Sequence, residues 1–158
     1  MLFLSVLGNA YFVVMFIAVL FFILPDDIKI LTESSMITSF FISTSIVFIL
    51  KFTVRRRRIS KGDDRFINNY DPYSFPSGHA SRVAALAIPM QFISSILSAV
   101  VILIAVIVSF SRISKGYHYI SDCLCGIAVG VVSGMIAVGL SDISTQFLYF
   151  LISLIKIN

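Results

Sequence analysis

The chain has two histidines, His79 and His118, and each stands among groups suited to phosphate chemistry. His118 lies four residues before Asp122, a spacing that puts both on one face of a helix. The Asp122 carboxylate can then accept the Nδ1 proton of His118, which fixes the tautomer and leaves Nε2 as a nucleophile. It would also steady the positive charge of a phosphorylated imidazole. Just upstream, the pair Ser111-Arg112 offers a guanidinium that can grip two phosphate oxygens at once. His79 closes the tetrapeptide Pro76-Ser77-Gly78-His79, which reads as a loop turning into a helix. Ser77 is a good N-cap there, and Gly78 lets a ligand approach the backbone. Free N–H groups at such a helix start favour an anion. His79 would then protonate the departing oxygen. Lys51 and Arg58, separated by six residues, add two more cations. Taken singly, these groups have ordinary structural uses: a buried His–Asp bond, or a Lys or Arg snorkelling from a helix end. Their ordered combination points to phosphoryl transfer.

Those groups must be positioned by elements that live in lipid. The hydrophobic fraction is 58%, only 13% of residues are charged, and the mean hydropathy is +1.00. A soluble domain averages about 25% charged residues, and 158 residues cannot hide so much apolar surface in a water-soluble core. The length suits one domain, 1–158. Seven of the twelve cations (Lys51, Arg55, Arg56, Arg57, Arg58, Lys61, Arg65) crowd into fifteen residues just before the Pro76 motif. No nucleic-acid-binding motif accompanies them, so an anionic headgroup is the expected partner, with no nucleic acid and no obligate protein partner. Cys123 and Cys125 lie two apart, cannot face each other on a helix, and read as small apolar filler.

The apolar pattern predicts an all-α bundle of about six transmembrane helices. The first span runs from Leu2 to Leu24; lacking a basic n-region, it reads as retained rather than as a cleaved signal. Pro25-Asp26-Asp27 breaks it, and a short connection reaches Ser35. The second span runs from Met36 to about Phe52, and residues 53–76 form the main polar loop. The stretch Val83–Phe110 carries no charge and is 28 residues long, about 42 Å as one helix against a bilayer core of about 30 Å. Read as a hairpin bent near Pro89 or Ser94-Ser95, it returns the chain to the face it left, as joint use of His79 and His118 requires. Tyr119–Leu140 is the fifth span, with Gly126, Gly130 and Gly134 spaced for close helix packing. Thr145–Ile157 is a short sixth.

The three elements resemble the signature of the type 2 phosphatidic acid phosphatase superfamily, which includes the vanadium haloperoxidases. That pattern is Lys, six residues, Arg-Pro; then Pro-Ser-Gly-His; then Ser-Arg, five residues, His, three residues, Asp. The second and third elements match in full, and the first departs only in having Ile59 where the family has Pro. The motifs cover residues 51–122. The resemblance implies a single transmembrane lipid phosphatase domain with His118 as nucleophile, Asp122 as its partner and His79 as general acid. Lys51, Arg58, Ser77, Gly78 and Arg112 would hold the phosphoryl oxygens, stabilising charge that spreads over them in the transition state. No metal or cofactor is expected: Asp63, Asp64 and Asp71 are the only acids in the main loop.

The haloperoxidase branch is soluble, so the apolar composition favours a lipid substrate reached from the bilayer. The expected headgroup is a polyprenyl pyrophosphate, since a compact bundle suits a simple headgroup. Phosphatidate and phosphatidylglycerophosphate are alternatives. A lipid phosphotransferase on the same site, or a non-catalytic lipid-binding or transport protein, are the competing readings. The protein is expected to be multi-pass, with the main loop, the Arg112–His118 loop and both termini on one face. Which face is left open, because phosphate-binding cations confound the positive-inside count.

Overall fold

The computed structural model describes residues 6–59 and 71–156. Six helices of ten or more residues account for most of the described chain, and no strand longer than an isolated bridge occurs among the described residues. They are α1 (Ala10–Ile23), α2 (Asp26–Val54), α3 (Gly78–Ala87), α4 (Ser95–Ser114), α5 (Ile120–Gly139) and α6 (Ser141–Lys156). By length and composition α2, α4 and α5 can each cross a membrane. The described residues form an all-α bundle of membrane type.

Three boundaries differ from the sequence expectation; the simplest is α6, which begins at Ser141, four residues before the expected Thr145. The expected first span is interrupted: Val6 and Leu7 are helical, a turn follows at Gly8-Asn9, and the long helix starts at Ala10, where the Asn9 side chain accepts the Tyr11 N–H at 3.1 Å and caps it. Residues 2–5 of the expected first span lie outside the described residues. The expected connection from Pro25 to Ser35 is instead the opening of α2, a continuous rod of 29 residues, about 43 Å long. Proline ends α1 but is tolerated at a helix start. Asp26 and Asp27 then sit in the first turn, where negative charge meets the positive end of the helix dipole. Thr32, Glu33, Ser34 and Ser35 are buried in the bundle, so this turn cannot be a surface connection.

The uncharged stretch folds as the expected hairpin, with unequal arms. Helix α3 is only 10 residues, followed by a 3-10 turn at Pro89–Phe92 and a new cap at Ser94, whose side chain accepts the Ile96 N–H at 3.2 Å. An arm too short to cross, and a non-helical turn at membrane depth, are tolerated only inside protein. Consistent with that, Pro89 and Met90 are buried, and so is every residue of α3 except His79 and Arg82.

Small residues make that burial possible. A Cβ built on Gly126 would lie 2.5 Å from the Ser77 carbonyl oxygen, one on Gly130 would collide with the Ser81 carbonyl, and one on Gly134 would lie 2.9 Å from Ile88 Cβ. The glycine stripe of α5 is thus the seat of α3. On its other side α3 is laced to α2: Ser39 donates to the Ala85 carbonyl at 2.5 Å, and the Ser43 and Ser81 hydroxyls are 2.6 Å apart. Cys123 is buried and neither cysteine is in a disulfide.

Candidate active site

The bundle brings the C-terminal ends of α2 and α4 to the same end as the N-terminal ends of α3 and α5. A backbone bond joins the two histidine motifs directly: the Ser77 N–H donates to the Asp122 carbonyl at 2.9 Å. Ser81 is the first residue of α3 to bond back, to the Ser77 carbonyl at 3.1 Å. The amides of Gly78, His79 and Ala80 therefore lie at the open N-terminus of the helix. The Ser77 hydroxyl does not cap them. It is fully buried, with no hydrogen-bond partner among the described residues.

His118 lies in the short loop between α4 and α5 and is 1% exposed. Its Nδ1 is 3.6 Å from Asp122 Oδ2, just beyond hydrogen-bond length. That oxygen accepts the Tyr119 N–H at 2.9 Å, while Asp122 Oδ1 accepts from Arg56 at 2.7 Å. The expected His–Asp pairing is therefore present as proximity, with Arg56 as a further partner. Burial pushes the His118 imidazole below its ordinary pKa, partly opposed by Asp122 and reinforced by Arg58 and Arg112. Its Nε2 faces Arg58, 3.4 Å away.

Lys51 and Arg58 converge on one carboxylate. Lys51 Nζ donates to Asp71 Oδ1 at 2.5 Å and to the Tyr73 carbonyl at 2.9 Å; Arg58 donates to Asp71 Oδ2 at 2.9 Å. The Lys51 and Arg58 side chains are 10% and 5% exposed, and that of Asp71 is 46% exposed, so the acid covers the two cations from outside. Ile59, in place of the family proline, does not keep Arg58 from the site. The turn out of α2 is made by Arg55 at φ 52°, and the Arg57–Tyr73 bridge with the Ser74 N–H to Arg56 carbonyl bond (2.8 Å) holds the returning chain. Arg112 is 3% exposed, with its guanidinium 4.6 Å from the Tyr117 ring centre. His79 sits at the start of α3 against Gly8, where an added Cβ would lie 2.6 Å from its own. Burial, then Arg112 and Arg82, hold its imidazole far below the usual histidine range.

Residues 32–145 match the family described as the PAP2 superfamily. The chain belongs to the PAP2 superfamily. Undecaprenyl-diphosphatase BcrC of Bacillus subtilis (strain 168) is 31% identical over 74 residues, 47% of this chain. That match spans only 38% of the relative's length. Among solved structures, Aquifex aeolicus LpxE superposes with a TM-score of 0.70 at 22% identity, covering 86% of this chain and 81% of that one. The first transmembrane PAP2 type phosphatidylglycerolphosphate phosphatase from Bacillus subtilis gives 0.71 at 20% identity, covering 88% and 73%. These likenesses establish the PAP2 fold, and the three helices long and apolar enough to cross a bilayer make it a multi-pass membrane protein.

The fold brings all eight motif residues of this PAP2 chain to one end of the bundle. Sequence reasoning missed three charged neighbours. Asp71 and Arg56 were hidden in the main loop, where no periodicity tells which charges turn inward. Arg82 left a readable signal: it is a lone charge in a short apolar helix, three residues after His79.

Proposed function

We propose that this protein is a metal-independent phosphatase of a lipid diphosphate, with a polyprenyl pyrophosphate as the favoured substrate. The observation that supports it most is the meeting of two imidazoles, at least four cations and an open helix N-terminus at one end of an apolar bundle. In this reading His118 Nε2 attacks the terminal phosphorus, and the bond from that phosphorus to the bridging oxygen breaks. The electron pair leaves on that oxygen, which takes a proton from His79 and departs as the lipid monophosphate. Water then attacks the phosphorus and gives a proton to His79, the phosphorus–nitrogen bond breaks with its electron pair returning to His118 Nε2, and inorganic phosphate is released. Lys51, Arg58, Arg112, the Ser77 hydroxyl and the Gly78 amide would hold the equatorial oxygens. Fixed donors of this kind stabilise transition-state charge without reorganising. They supply the positive charge that a metal supplies elsewhere. BcrC, a protein similar to this one, is named for the same chemistry.

The lipid tail has a place to go. An apolar groove of about 190 Å³ between α1, α3 and α4 is lined by Leu7, Phe12, Phe16, Val83, Leu86 and Ile104. It begins beside Gly8 and His79 and runs down the bundle.

The test is phosphate release by purified protein in detergent with EDTA present. A prenyl diphosphate should be hydrolysed, and His118→Ala and His79→Ala should each lower turnover by at least about 10³-fold, the scale of losing a nucleophile or its proton donor. Full activity in His118→Ala would remove the assigned nucleophile.

A further inference from the structure

Arg82 is a charge that the reaction described above does not use. It is partly buried, in a helix whose other residues beyond His79 are all buried. Its guanidinium donates to a neutral group, the Gly8 carbonyl, at 2.7 Å from one terminal nitrogen. No carboxylate among the described residues lies within ion-pair distance of it: Asp71 is held by Lys51 and Arg58, and Asp122 by Arg56. A cation kept in a bundle of low polarity without a counter-charge is costly. Asp71 acts on Arg82 only at Coulombic range, so an anion that arrives with the substrate would supply the direct counter-charge.

Its position says which anion. Helical side chains lean toward the N-terminus, and the second terminal nitrogen of Arg82 comes within 3.1 Å of where a Gly78 Cβ would be. The guanidinium therefore flanks Gly78 at the open end of α3, within Coulombic reach of His79, Lys51 and Asp71. Yet Arg82 itself is rooted about 6 Å further along the helix than Gly78. The next residue, Val83, and the residue before Gly8, Leu7, already line the apolar groove. The charge of Arg82 thus lies between Gly78, beside one terminal nitrogen, and Gly8, bonded to the other at the mouth of the apolar groove.

We infer that Arg82 holds the tail-side phosphoryl group of a lipid diphosphate, the phosphate that leaves with the lipid. This rests on the reading under Proposed function and deepens it. As the bond from the terminal phosphorus to the bridging oxygen breaks, negative charge grows on the departing monophosphate, and Arg82 lies where it can take that charge while His79 protonates the oxygen. A lipid monophosphate has no second phosphoryl group and leaves Arg82 unused. Arg82 thus sets a preference for diphosphate over monoester.

The test compares a prenyl diphosphate with the prenyl monophosphate of the same chain length, in detergent with EDTA. Arg82→Gln should lower kcat/KM for the diphosphate by about 10- to 100-fold, the scale of one charge-assisted hydrogen bond, and for the monophosphate by less than about threefold. Arg82→Lys, which keeps the charge, should fall between. Inhibition by orthovanadate, which mimics a single phosphoryl group, should change less than about threefold in Arg82→Gln; this also reports an intact site. Equal losses on both lipids, or an unchanged ratio, would overturn the assignment of Arg82 alone. A wild-type protein that releases phosphate from neither lipid would overturn the phosphatase reading, and this inference with it.

Discussion

Asp122 is shared between two groups of opposite need. Arg56 neutralises its Oδ1 at 2.7 Å, and the His118 ring waits 3.6 Å from Oδ2. The carboxylate is fully buried while the Arg56 side chain is 40% exposed. Arg56→Gln should therefore cost roughly 1–2 kcal/mol in detergent unfolding, less than the ~3–5 of a fully buried pair. As the proposed nucleophile His118 would work as a free base, and burial with Arg58 and Arg112 lowers its pKa. The acid limb of kcat/KM should lie below about 6.5, the ordinary histidine value. Asp122 is the group that raises that pKa, so Asp122→Asn should lower the rate and move the residual limb to still lower pH. A limb that moves upward would remove Asp122 as the partner of His118. As the proposed general acid His79 poses the complementary demand, because it would have to carry a proton that Arg112, Arg82 and Lys51 repel. A bound phosphate cancels those charges, so vanadate binding should take up a proton. Calorimetry in buffers of different ionisation enthalpy should show that uptake reduced in His79→Gln. The two histidines were legible because their partners lie within a few residues. Arg56 was not: in a run of four arginines only the extended loop, which turns Arg56 and Arg58 inward around the Arg57–Tyr73 bridge, tells them apart.

The elements place those residues through one contact, α3 against the glycine face of α5. The four-residue spacing of Gly126, Gly130 and Gly134 announced close packing, and the structure assigns it the short helix that carries His79. Gly130 is the tightest point: a Cβ there would strike the Ser81 carbonyl and come within 2.7 Å of Ala84 Cβ and 2.8 Å of the Ala85 nitrogen. Backbone cannot yield as a flexible side chain can, so Gly130→Leu should push α3 off α5 and separate His79 from His118. The expected result is lost phosphate release with at least about 2–3 kcal/mol of lost stability, the scale of overpacking. Gly139, which has open space around it, is the control: Gly139→Leu in the same helix should leave both nearly unchanged. The hairpin was readable from the length of the uncharged stretch together with the need to bring His79 and His118 to one face; length alone does not decide it, since α2 runs 29 residues unbroken. The opening of α2 was not. Pro25 and two aspartates look like a stop, yet the same residues start a helix, and only the burial of Thr32 to Ser35 shows that the rod continues inward.

At the scale of the whole molecule, the bundle keeps its chemistry at one end and wraps the rest in hydrocarbon. Phe41, Phe48, Ile49, Leu103, Leu124 and Met135 point outward from α2, α4 and α5, as a lipid-facing belt requires. The alternation of helix directions puts the α4–α5 loop at the site end and the α5–α6 junction at the opposite end. Charge counting could not reveal which end faces the cytoplasm, because Lys51, Arg56, Arg58 and Arg112 are drawn into the site, while Asp26 and Lys29 pair with each other at the far end at 2.6 Å. The opposition of the two ends is nonetheless a firm consequence of the fold. Lys115 lies in the loop before His118, and Asp142 at the start of α6. With Cys123 and Cys125 replaced by serine, Lys115→Cys and Asp142→Cys should react with a membrane-impermeant thiol reagent from opposite sides of sealed vesicles. Orthovanadate should slow the reaction only at position 115, beside the site. Labelling of both positions from one side would mean that α5 does not cross, and the two histidine motifs would then lose the scaffold that joins them.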